Sequence, residues 1–310
     1  MKKGIVCVAT EQGLGRQAKD FYDNGIVTEV LVHKHSTYEN HYEWYPNRVE
    51  NFDQLLELCD TILFIETPFD WKYVLKAREK GVKTVFFIMY ECTRLNYYPD
   101  VLVGGSVLEA ETYPDLNVKV INVPVPKALK WRKRTKAQIF VHNAGHGGLG
   151  GRNGTMNLIK AIPMVKSPAK FIIRSQFPIT LPYKDDRVEL RIGDQPYETL
   201  FTEGDVFVYP DKFGGSCLPL QEAHASGMLV MASDRHPSNT WLPKEPLIPI
   251  RGYKKETIIQ PFDSAIIEPE DIAKKIDEWY NKDIEKYSLV GKSWGKANSW
   301  EVLKKEYEKL

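Results

Sequence analysis

At 310 residues the chain is long enough for two α/β domains of ordinary size, and its 43% hydrophobic and 12% aromatic content excludes a disordered polymer. A formal charge of +1 gives the whole molecule no pull toward nucleic acid or an anionic membrane, so any such attraction must be local. No apolar run approaches the length of a membrane span, and Cys7, Cys59, Cys92 and Cys217 are scattered with no CxxC or paired histidine spacing, so reduced thiols and a cytoplasmic location are expected.

The first ten residues are basic and then apolar, as in a signal peptide. The apolar stretch is short and runs into a Gly-containing turn, which reads better as a first buried strand. From there the chain repeats a short apolar strand, a turn and a helical stretch. Residues 5–9 read as strand, then a Gly13-Leu14-Gly15-Arg16 turn opens an amphipathic stretch through Tyr22. Strands are expected at 27–33, 61–65, 84–89, 101–103 and 119–123, with helical spacing at 52–58 and 73–80. Strands alternating with helices predict a parallel sheet covered on both faces, and the right-handed crossover rule makes it Rossmann-like.

The pattern stops near Val123-Pro124-Val125-Pro126. Residues 127–136 are strongly basic, lack a core face and read as a linker. The alternation then resumes, with strands expected at 138–142, 171–174, 188–191, 206–209 and 229–232. Helices are expected at 155–165, around 222–227, at 271–281 and at 300–310. The expected organisation is an α/β chain of two Rossmann-like domains facing each other across a cleft: 1–126, a linker 127–136, a second domain 137–285, and a C-terminal helix in 286–310 returning to the first domain. Ligands of such sheets bind off the carboxyl ends of the strands.

The most informative stretch runs from Gly204 to Gly227. It is a buried strand, a proline stop, a Gly-rich turn and a helix carrying a carboxylate about one turn inside, an arrangement whose N–H groups suit a diphosphate. Asp205-Val206-Phe207-Val208, Pro210, Leu218-Pro219, Glu222-Ala223, Ala225 and Gly227 fall in one gap-free register. In that register the segment resembles the donor-binding signature of the family-4 retaining glycosyltransferases of the GT-B fold.

The resemblance implies a metal-independent sugar transfer from a nucleotide-sugar donor, with no cofactor, and assigns roles residue by residue. Glu222 is implied to hold the ribose. Gly215, Ser216, Cys217 and Leu218 are implied to offer backbone amides to the diphosphate. The family's first Glu, which touches the transferred sugar, falls here at Gly214; a different donor sugar, a substitute such as Asp211 or Lys212, or lost activity would each follow from that change. Arg152-Asn153-Gly154-Thr155 sits where the family carries a basic pair and a glycine, with Asn153 at the usual Lys. A leaving phosphate needs positive charge, for which Arg152 is the first candidate and Lys212 and Arg174 follow. Ser299-Trp300-Glu301-Val302-Leu303 resembles the family's terminal helix.

Further candidates come from the residues themselves. Gly13 and Gly15 fall short of a GxGxxG fingerprint, and either approach the transferred group or form a tight turn with no ligand. The loop from His142 to Gly151 is rich in glycine, and His142 or His146 is expected either to hydrogen-bond a phosphate or sugar hydroxyl or to be polar surface. His33, His35 and His41 with Glu39, Glu43 and Trp44 form a polar-aromatic loop that is either plain surface or suited to stacking an acceptor. Tyr90-Glu91-Cys92-Thr93 follows a strand at its carboxyl end, where Tyr90 meets an acceptor and Glu91 accepts a proton from its hydroxyl or positions it. No metal ligands are expected. The acceptor stays open between a glycan or cell-surface polymer, a lipid-linked species and DNA. The basic 127–136 segment is either a solvated connector or a contact for anionic lipid or DNA. Two other classes remain: a GT-B-fold epimerase and a non-catalytic nucleotide-sugar-binding protein.

Overall fold

A computed structural model describes residues 2–66, 69–93, 95–146 and 151–310. They divide into two compact units, Met1–Pro124 with Trp300–Leu310, and Val125–Ser299.

In the first unit the order is β1 (Lys3–Val8), α1 (Gly13–Asp23), β2 (Glu29–His33), α2 (Phe52–Leu58), β3 (Thr61–Ile65), α3 (Lys72–Glu79), β4 (Lys83–Ile88), β5 (Val101–Gly104), α4 (Val107–Thr112) and β6 (Val118–Val120). The strands form one parallel sheet in the order β2-β1-β3-β4-β5-β6. Alternate residues of a strand point to opposite faces, so Ile5 and Cys7 join one core while Val6 joins the other. This double burial is why the strands read as nearly continuous apolar runs. Helix α4 was not expected from periodicity. It starts on a capping box, with the Ser106 backbone N–H donating to Glu109 and Leu108 N–H donating to the Ser106 hydroxyl.

The C-terminal helix, Trp300–Glu308, completes this unit. Trp300 and Tyr307 are buried beside Phe21 and Phe87. Lys3 and Lys83, at the starts of two core strands, donate to the carbonyls of Tyr307, Glu308 and Leu310 at 2.7–2.8 Å. Cations there satisfy carbonyls that the helix end leaves open.

In the second unit the order is β7 (Ile139–Gly145), α5 (Thr155–Ala161), β8 (Lys170–Ser175), β9 (Val188–Ile192), β10 (Val206–Tyr209), α6 (Leu218–Ala225), β11 (Leu229–Ala232), a hairpin of β12 (Tyr253–Thr257) and β13 (Pro261–Ala265), α7 (Pro269–Trp279) and α8 (Glu285–Ala297). The main sheet is parallel in the order β11-β10-β7-β8-β9. The chain runs outward from β7 through β8 and β9, then returns to the other side of β7 as β10. The order therefore reverses between β7 and β10, and an open α/β sheet places its ligand crevice at the carboxyl ends of such strands.

Two boundaries differ from the sequence reading. Residues 127–136 belong to the second unit and lie along α8 as a strap. Arg134, only 2% exposed, donates to the carbonyls of Gly204 and Phe201, and Trp131 Nε1 donates to Ser288 O at 3.0 Å. The core face of this strap is a guanidinium serving carbonyls, which hydrophobic patterning does not register. The returning segment is also shorter than 286–310, because α8 packs on α6. A Cβ at Gly291 would lie 2.1 Å from the His224 carbonyl oxygen, so glycine is what admits the close helix–helix approach.

Candidate donor site of the second unit

The segments leaving β7 and β10 cross just beyond the switch point. Lys212 N–H donates to Arg152 O at 2.8 Å. Gly154 sits at φ +66° with its Cα against the turn after β10, where a Cβ would lie 1.9 Å from Pro210 O. This crossing brings the Arg152 side chain to the loop 210–218. A Cβ at Gly214 would be 3.7 Å from Arg152 Cδ and 3.1 Å from Cys217 Sγ.

The loop is braced from beneath. Asp211 is fully buried and paired with Arg235, itself 2% exposed. Arg235 Nη1 also donates to Gly214 O at 2.9 Å. Two residues carry the bend above this pair. Gly214 adopts φ +127°, open to glycine, and Cys217 adopts φ +45° at the N-cap of α6, a conformation that costs an L residue roughly 1–3 kcal/mol. Burial pushes the Cys217 thiol up to about 12, which keeps it protonated at neutral pH.

The consequence of the bend is a row of donors. Among the described residues, the backbone N–H groups of Gly215, Ser216, Cys217 and Leu218 make no hydrogen bond to a protein acceptor. They open helix α6, whose dipole favours negative charge at that end. One turn on from Leu218, Glu222 lies on the same side of the helix and accepts a 2.6 Å hydrogen bond from the Tyr197 hydroxyl. Tyr197 is set by a short 3₁₀ turn, Tyr197–Thr199.

Positive charge collects beside the row. Lys212 makes no ion pair among the described residues, and its pKa is lowered by burial and by Lys254, with Lys160 contributing against the Glu256 carboxylate. Its side chain reaches Gly151, where a Cβ would be 3.6 Å from Nζ. The hairpin steadies this lysine from the other side, with Ala265 N–H donating to Lys212 O at 2.7 Å and Phe262 packed on Phe213 at 4.4 Å. His146 has an exposed side chain; its pKa is lowered by partial desolvation and by the Arg152 charge.

The structure thus brings together Arg152, Lys212, Gly214, Gly215, Ser216, Cys217, Leu218 and Glu222 in one unit, with His146 near Arg152. Gly147, Gly148, Leu149 and Gly150 lie outside the described residues.

Other candidates turn out to be internal. Arg174 is 4% exposed and neutralised by Glu203, with further donation to Asn143 and Leu200 O, so it holds β7, β8 and the 200–203 turn together. His142 is buried between Val208 O and the Thr155 hydroxyl at 2.8 Å each, and burial lowers its pKa to about 4. Asn153 links Ala144 O to the Tyr209 hydroxyl. Asp211, a possible substitute for the missing carboxylate, is spent on Arg235. Tyr197 and Arg235 were missed, because nothing in their local sequence marks the tertiary partners they serve.

In the first unit, Gly15 is required by packing: a Cβ would lie 2.2 Å from Thr10 O, so this glycine seats α1 on the end of β1. Gly13 is the exposed first residue of that helix. Tyr90 and Glu91 are buried, Glu91 completely, which withdraws both from acceptor contact. Glu91 instead lies near Glu109, whose carboxyl is pushed up to about 7, mainly by burial and partly by Glu91. His41 stacks on Trp44 at 4.8 Å, and the Arg16 guanidinium lies 4.9 Å from the same ring centroid while pairing with Glu11. That cluster remains partly exposed.

No protein-family model and no curated protein sequence matches the chain. Comparison of structures gives strong likenesses. HepE from Anabaena, in complex with UDP and glucose, is similar with a TM-score of 0.70 and 11% identity, covering 100% of this chain and 97% of that one. A glycosyltransferase from Rickettsia africae matches with a TM-score of 0.71 and 10% identity over 99% and 98% of the two chains. Sucrose-phosphate synthase from Thermosynechococcus elongatus matches with 0.64 and 12% over 100% and 98%. Identities this low carry the fold alone, and the fold is the two-domain α/β GT-B fold of glycosyltransferases.

Proposed function

We propose that the chain is a glycosyltransferase that moves a sugar from a nucleoside-diphosphate donor to an acceptor hydroxyl, with retention and without a metal. The observation that carries this reading is the row of unbonded N–H groups at 215–218 on α6, with Glu222 one turn behind and Arg152 and Lys212 beside it. The diphosphate sits on the helix N-terminus, and Glu222, oriented by Tyr197, accepts from the ribose hydroxyls. Arg152 and Lys212 offset the charge that grows on the leaving phosphate, in the role a divalent ion plays elsewhere. The bond from the anomeric carbon to the β-phosphate oxygen breaks, its electron pair leaving with the nucleoside diphosphate. The acceptor oxygen bonds to the anomeric carbon from the same face, and its proton passes to the departing phosphate. Uracil is the first base to test, since HepE is complexed with UDP-glucose in a related structure. A glycan or cell-surface polymer is the proposed acceptor.

The test is nucleoside-diphosphate release from UDP-, GDP-, ADP- and dTDP-sugars in EDTA, with the anomer of the product read by NMR. Release from one donor in EDTA with a retained anomer supports the proposal. Release that needs added Mg²⁺ or Mn²⁺, or an inverted product, overturns the corresponding part. A chain that turns over none of the donors is a binding protein.

A further inference from the structure

The strap and α8 together form a surface that the donor site does not use. The strap tracks α8 along its whole length. Val125 N–H donates to Asn298 O at 2.8 Å, the Trp131 indole donates to Ser288 O, and Lys133 pairs with Glu285 at 2.7 Å. Lys292 Nζ lies 4.1 Å from the Trp131 ring centroid, so strap and helix share one outer face. The inner face of α8 is taken by Tyr287, Ser288 and Gly291. Its outer face carries Leu289 and Val290, 45% and 48% exposed, between Lys286, Lys292 and Lys296.

Charge on this face is one-sided. Residues 125–136 contain no carboxylate, and Glu285 is the sole acidic residue of 285–297. Glu285 is occupied by Lys133, Lys286 lies 3.7 Å from Glu245, and Arg132 lies 3.9 Å from Asp205. Among the described residues, Lys127, Lys130, Lys292 and Lys296 make no ion pair, and all four are exposed.

We propose that this strap–α8 face is a docking surface for an anionic lipid bilayer. Leu289 and Val290 enter the headgroup boundary while the surrounding lysines meet lipid phosphates. An exposed aliphatic ridge inside a basic ring is what separates this reading from nucleic-acid binding, because a polyanionic backbone gains nothing from Leu289 and Val290. The surface stands independently of the donor-site reading, and its test needs no nucleotide.

The experiment is co-sedimentation of the full chain with phosphatidylcholine vesicles and with vesicles containing phosphatidylglycerol, alongside a short DNA duplex. The wild type is expected to bind the anionic vesicles, to leave the neutral ones, and to weaken with salt. Replacing Lys127, Lys130 and Lys296 by Ala should lower partitioning about a hundredfold, at about fivefold per lysine. A Leu289→Ser/Val290→Ser pair should weaken vesicle binding with every lysine intact. All five positions are exposed, so a thermal melt should match the wild type. Absence of binding to anionic vesicles, or binding unchanged in both variants, overturns the proposal. So does tighter binding to the duplex that ignores Leu289 and Val290.

Discussion

Replacing Gly154 by Ala tests whether the crossing of the β7 and β10 segments builds the candidate site. Three terms follow from the geometry. At φ +66° an L side chain costs about 1–2 kcal/mol. The new methyl would lie 1.9 Å from Pro210 O and under 3 Å from two further Pro210 atoms, an overlap that only a loop shift relieves, at about 1–3 kcal/mol. That shift strains the bond from Lys212 N–H to Arg152 O, worth about 1 kcal/mol. The total is about 3–6 kcal/mol, or a melting point lower by roughly 10 °C for a unit of this size. Gly145→Ala is the control: its φ is +56°, and its Cβ would meet nothing nearer than Gln176 Oε1 at 3.8 Å, so the conformational term alone, about 1–2 kcal/mol, is expected. Urea unfolding of both variants measures the difference. Equal losses would show that the close approach to Pro210 does not hold the loop, and the derivation of the site from that crossing would fail.

Titration should act on the two units in opposite senses. His142 and His224 are held near pKa 4 by burial, so the unfolded chain takes up protons first. Their stability contribution is present above about pH 6.5 and is lost as pH falls toward 4, by at most ~3 kcal/mol each. Glu109, raised to about 7, contributes fully below about pH 4.5 and loses its contribution as pH rises through 7. Glu109→Gln should therefore stabilise the protein at pH 8 and not at pH 4.5 in denaturant titrations; an equal effect at both would mean the carboxyl is ionised throughout. Trp300→Ala removes a buried indole wedged against Phe21 and should cost about 3–5 kcal/mol in the same assay, whereas a loss under 1 kcal/mol would detach the C-terminal helix from the first core. Tyr197→Phe frees Glu222 from one charge-assisted bond and should weaken nucleotide binding about tenfold, with no change expected if Tyr197 merely packs.

The parallel sheets were readable in the sequence because strands buried on both faces cannot hide their apolar runs, as in residues 61–65 and 206–209. Helix α6 was readable because a proline stop, a Gly-rich turn and a carboxylate one turn inside keep fixed spacing along the chain. What escaped depends on partners distant in sequence. Arg174 and His142 look like site residues until Glu203, Leu200 O and Val208 O are seen to consume their donors. Tyr197 looks like a loop residue until it meets Glu222. Residues 127–136 look solvated because the side chain that anchors them most deeply, Arg134, is an arginine. Helix α8 was blurred by Gly291 and Gly295, residues that favour close packing at the expense of helix propensity. At Gly214 the structure adds a physical reason for the absent carboxylate: at φ +127°, with Cys217 Sγ 3.1 Å from where a Cβ would stand, a glutamate side chain would be strained.

The central claim is that the N-terminus of α6 and Glu222 together hold a nucleoside diphosphate. Calorimetric titration of UDP, GDP and ADP into the wild type and into Glu222→Ala, in EDTA, measures it directly. One nucleotide is expected to bind the wild type, and loss of two hydrogen bonds to a charged acceptor should weaken it by about 3 kcal/mol, roughly a hundredfold or more, in the variant. Equal affinity in the two proteins, or no binding of any of the three nucleotides to the wild type, would contradict the account.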